Sequence, residues 1–94
     1  MKEALQTVRD VRKEVDELRE VAVHSCHDAG SAVRMAKAFV LLREAECILD
    51  MEARKIEDGV MSRSEMAQAA LGWNLNSVRG RIVMAREILD GQRK

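Results

Sequence analysis

The 94-residue chain contains no proline, five glycines and two aromatic residues, Phe39 and Trp73. Without proline, and with almost no β-branched alternation, nothing interrupts or competes with helix over most of the length. An all-α fold is the expectation. With so few aromatics the core has to be assembled from Leu, Val, Ile, Ala and Met, a set that suits helix-on-helix packing. Cys26 and Cys47 are too few for a disulfide framework and read as free thiols of a reducing compartment. No apolar run approaches the roughly 18 to 20 residues of a membrane span, and the charged start Met1-Lys2-Glu3 is not followed by an apolar signal segment. The expected setting is cytoplasmic, without a membrane. No nucleophile with a partnered base, phosphate-binding loop or carboxylate dyad stands out, so neither catalysis nor a cofactor is expected.

What is present is charge of both signs in equal amounts, unevenly spread. Residues 1–58 carry ten Lys or Arg against thirteen Asp or Glu, whereas residues 59–94 carry six against three, making the last third the basic end. A chain this short is one domain at most, 1–94, and buries a modest core that self-association often supplements. A homodimer is therefore expected.

The first third repeats apolar residues at Ala4, Val8, Val11, Val15, Leu18 and Ala22, a heptad-like stripe with a solvated charged face around it. The stripe ends at residues 24–31, where Gly30 can stop one helix and Asp28 or Ser31 can cap the next. A second helix from about Ala32 to Glu57 has a broader apolar face. Met35, Phe39, Leu42, Leu49 and Ile56 lie on one line, with Ala38, Leu41, Ala45 and Ile48 beside it. The two read as a long antiparallel hairpin over 1–58 that supplies the dimer contact. If residues 28–31 reverse the chain, facing residue numbers total about 59, so that Leu18 meets Leu41, Val11 meets Ile48 and Val8 meets Met51.

After Asp58-Gly59, the run Ser62-Arg63-Ser64-Glu65 has the spacing of a capping box. A short helix Arg63 to Leu71, a turn at Gly72 with Asn74 or Asn76 as the next cap, and a final helix through Leu75, Val78, Ile82, Ala85 and Leu89 make a helix-turn-helix over 62–90. That gives about four helices. In this arrangement Ala67 lets two helices cross closely, Gly72 supplies a positive φ, and Trp73 anchors a small core. Asn74, Asn76, Ser77, Arg79, Arg81 and Arg86 then form the candidate DNA-binding set, because Arg reads guanine bidentately and Asn, Ser and Arg hold phosphates.

The run Ala67-Gln68-Ala69-Ala70-Leu71-Gly72-Trp73-Asn74-Leu75-Asn76-Ser77-Val78-Arg79-Gly80-Arg81-Ile82 resembles the helix-turn-helix of the Fis family and of the C-terminal domain of NtrC-type activators. Gly72-Trp73-Asn74 and Ser77-Val78-Arg79, followed by Arg81 and Ile82, carry the resemblance. It implies a dimeric transcriptional or nucleoid-type regulator of double-stranded DNA, with the unit placed after two longer dimerising helices. The alternative is a small helical protein-interaction module, such as an adaptor, chaperone or inhibitor, that meets a protein partner without DNA. The broad apolar face of the second helix and the zero net charge motivate it.

His24, Cys26, His27 and Asp28 gather potential metal ligands around one loop. Cys47 lies some 30 Å away along a helix and cannot complete a site there, so a polar loop without a metal is expected. Cys47 itself reads as a small buried hydrophobe, and Met35, Met51, Met61, Met66 and Met84 as adaptable packing residues.

Overall fold

The computed structural model describes residues 2–25, 27–60 and 63–91. Three helices follow one another: α1, Lys2–His24; α2, Ala29–Glu57; and α3, Glu65–Asp90. They pack side by side into a rod of 50 × 17 × 16 Å. The α2–α3 seam is the most extensive, α1 packs on α2, and α1 and α3 also touch. The all-helical fold is as expected; the number of helices is not.

Each helix forms because its apolar residues recur every three or four positions. On α1 these are Val8, Val11, Val15, Leu18 and Ala22; on α2, Ala38, Leu42, Ala45, Leu49 and Ile56; on α3, Leu71, Leu75, Val78, Ile82, Ala85 and Leu89. All are buried, and they merge into one continuous cluster. The broad face of α2 is thereby accounted for within the chain: part faces α1 and part faces α3.

Local chemistry sets the helix ends. Asp28 caps α2, its carboxylate accepting from the Ser31 amide at 2.7 Å. That amide is the main reason its carboxyl sits below the usual carboxylate range, with the Ser31 side chain and Arg34 adding to the effect. Gly30, expected to stop α1, instead lies in the first turn of α2. At the other end of α2, Gly59 adopts φ +77, the Val60 amide donates to the Lys55 carbonyl and the Gly59 amide to that of Ile56. This is the paired C-terminal arrangement that needs a left-handed residue just past the cap. Arg63 clasps the same corner, donating to the Asp58 and Gly59 carbonyls.

Polar contacts fix α1 against α2. Arg12 pairs with Asp50 and with Asp16, and Arg19 pairs with Glu46 while its guanidinium lies 5.3 Å from the Phe39 ring centroid. On the expected register Arg12 would face Cys47. Its pairing with Asp50 lies almost one turn further along α2, and Met51, expected opposite Val8, is 44% exposed.

The helix-turn-helix does not form. α3 runs unbroken from Glu65 to Asp90, through Gly72, and Gly59 is the only described glycine with positive φ. A glycine inside a helix costs about 1 kcal/mol relative to alanine. Here the stripe Leu71-Leu75-Val78-Ile82 is buried without interruption across that position, and its burial outweighs the glycine. The α3 cap is Ser64, whose hydroxyl accepts from the Ala67 amide at 3.1 Å, so Glu65 is the first helical residue rather than the acidic member of a capping box. Ser62, Met61 and Cys26 lie outside the described residues.

Candidate interaction surface

With α3 straight, the six residues expected to meet DNA divide between different sides of one helix. Asn74 turns inward, its Nδ2 donating to Glu52 Oε1 at 2.6 Å. Glu52 is fully buried; Lys55 Nζ also reaches Oε1, at 3.3 Å, while Oε2 has no hydrogen-bond partner among the described residues. Arg81 Nε donates to Glu44 Oε2 at 3.1 Å, and its Nη1 donates to the carbonyl and hydroxyl oxygens of Ser77. Asn74 and Arg81 are therefore engaged along the α2–α3 seam, and Ser77, on the outer side of α3, accepts from Arg81, so the three do not form an outward reading surface. Asn76 is exposed. Arg79 and Arg86 are exposed and border a depression of about 220 Å³ with Ile82, Val83 and Glu14 of α1.

Sequence reasoning missed the outer side of α3. Trp73, expected as a core anchor, is 78% exposed, and Met66 is 82% exposed. Met84 and Val83 are about half exposed. At 100° per residue, Met66, Ala69, Ala70, Trp73, Asn76, Ser77, Gly80 and Met84 fall on one strip of α3, turned away from the Leu71-Leu75-Val78-Ile82 stripe. No charged residue lies on that strip between Met66 and Met84. Met66, Ala69, Ala70, Trp73 and Asn74 line a shallow depression of about 410 Å³. The signal was legible: Met66, Trp73 and Gly80 recur every seven residues, opposite the core stripe, provided the helix continues through Gly72.

A second shallow groove, of about 490 Å³, runs along the α2–α3 seam between Val40, Arg43, Glu44, Cys47, Ile48 and Arg81. Cys47 is exposed there rather than buried. Around the α1–α2 corner, His24 Nε2 lies 3.5 Å from Glu20 Oε2, and no metal-binding cluster of His, Cys, Asp or Glu occurs among the described residues. No helix among the described residues is long and apolar enough to cross a membrane.

Fold and surface together define a class: a three-helix rod with one charge-free helical strip left uncovered. Comparisons with protein-family models, with curated proteins and with solved structures find no match to this chain.

Proposed function

We propose that this protein is an interaction module that docks on another protein surface through the outer strip of α3. The observation that carries the reading is the exposure of Trp73 and Met66 on a strip free of charge. A large aromatic and a long thioether side chain held in water contribute little to the folded monomer's burial. Tryptophan is among the residues that dominate protein interfaces once desolvated, and methionine adapts to varied partner shapes. The test is affinity capture from a cognate lysate after nuclease treatment, comparing the wild-type chain with Trp73→Glu. A stoichiometric protein, a further copy of this chain included, held by the wild type and lost by the variant supports the reading; equal recovery by both overturns it.

Binding to double-stranded DNA is the second reading, favoured by the two exposed arginines seven residues apart in the basic third of the chain. Its surface is now the Arg79 and Arg86 side of α3 rather than a turn and recognition helix, and Glu14 beside these arginines works against a phosphate. Fluorescence anisotropy with a duplex at low salt tests it. Binding that falls steeply with salt and on changing Arg79 and Arg86 to alanine favours this reading, and no binding at low salt removes it.

A further inference from the structure

We infer that the occupant of the α3 strip is a second copy of this chain, packed antiparallel, with Trp73 of each copy seated on Gly80 of the other. This inference rests on the docking reading above and names its partner.

The strip is complementary to itself only in that orientation. Place a two-fold axis between Asn76 and Ser77, so that facing residue numbers total about 153, and each level of the strip meets its counterpart. Trp73 faces Gly80 of the second copy. Met84 faces Ala69. Asn76 faces Ser77, whose hydroxyl already accepts from Arg81, so the centre of the seam is polar. Large side chains thus oppose small ones from Ala69 to Met84, and the seam ends where Met66 meets Glu87. A parallel pairing would set tryptophan against tryptophan and glycine against glycine, a clash beside a void.

Gly80 supplies an independent observation. A Cβ placed there meets nothing within 4 Å, and its φ is not positive, so neither crowding nor backbone conformation inside the monomer requires glycine. It nonetheless interrupts a helix whose neighbours are good helix formers. A bulky ring from outside, lying across the bare backbone, does require it. Gly72 is equally open but lies off the strip, and nothing in the structure explains it.

The available area fits a dimer. The exposed parts of Met66, Trp73 and Met84 with the small residues between them offer roughly 600 Å², against the roughly 800 Å² that each partner contributes to a standard interface.

Sedimentation equilibrium of the full chain across a wide concentration range tests the inference. The wild type is expected to show twice its 10.6 kDa chain mass. The emission of Trp73, the only tryptophan, should move to longer wavelength on dilution. Gly80→Leu fills the seat opposite Trp73 and is expected to sediment at the mass of one chain, with undiminished helicity and, at dilutions where the wild type is also monomeric, no loss of Tm. Trp73→Glu should do the same and serves as the second variant should Gly80→Leu fold poorly. A wild type that stays at the mass of one chain overturns the second-copy occupant, as does a dimer that survives both substitutions. The docking reading is judged separately: a monomeric wild type that captures a protein partner through Trp73 keeps that reading while this inference fails.

Discussion

Along its seam with α2, α3 ties up polar groups one after another: Asn74 on buried Glu52, Arg81 on Glu44 and Ser77. On its outer strip Met66, Trp73 and Met84 are apolar and uncovered. The usual distribution is the reverse, with apolar groups inside and polar groups in water. A buried carboxylate is tolerated only where donors meet it, and its value lies in specifying which helices pair and in what register. An exposed tryptophan does nothing for that pairing. The contrast separates what α3 does for the fold from what it offers to a partner.

The largest expected effect breaks the inner side. Changing Asn74 to alanine removes the 2.6 Å donor from a fully buried carboxylate whose other oxygen has no partner among the described residues. The loss should be about 2 kcal/mol, the scale of a hydrogen bond to a charged group, since Lys55 Nζ still reaches the same oxygen at 3.3 Å. Chemical denaturation measures it. The double change Glu52→Leu with Asn74→Leu should recover most of that loss, since apolar replacement of a buried polar pair is often neutral or better. A cost below about 0.5 kcal/mol for Asn74→Ala would mean that water reaches Glu52 and that the inner side is not as dry as its burial implies.

A smaller effect of opposite sign tests the continuity of α3. Gly72 lies mid-helix, without positive φ and with open space around it. Alanine there should raise stability by roughly 1 kcal/mol and increase helicity by circular dichroism. Had Gly72 formed the turn of a helix-turn-helix, a β-carbon at positive φ would instead have destabilised the fold. The sign of this one substitution therefore distinguishes the two architectures.

That pair of architectures also shows how far the sequence could be read. The 3-and-4 spacing of Val8 to Ala22 and of Leu75 to Leu89 disclosed the buried faces, and Gly59 marked the end of α2, while its start, Ala29, lies three residues before the expected Ala32, with Asp28 rather than Ser31 as the cap. Gly72 was misread because a glycine followed by Asn74 and Asn76 carries local turn chemistry, while the evidence against a turn is tertiary: Leu71 and Leu75 bury on the same face. That one misreading displaced the site. Once a turn was assumed, Trp73 had to serve as its anchor and Arg81 as a reader of bases. The straight helix sends the first to solvent and the second to Glu44. Cys47 was misplaced for a related reason, since its small apolar character says nothing about which side of α2 the core occupies.

The smallest expected effect is on the outer strip. Trp73→Ala removes the largest side chain in the protein, and in a core such a truncation costs 3–5 kcal/mol. At 78% exposure there is little burial to lose, and alanine is the better helix former. Measured where the chain is monomeric, stability should therefore stay within about 0.5 kcal/mol of the wild type. At high concentration the two should diverge. A dimer binds the folded state and not the unfolded one, so the wild-type Tm should climb with concentration while that of the variant stays flat. A Trp73→Ala chain that loses several kcal/mol when dilute would place the ring in the monomer's own core and erase the distinction between the two sides of α3.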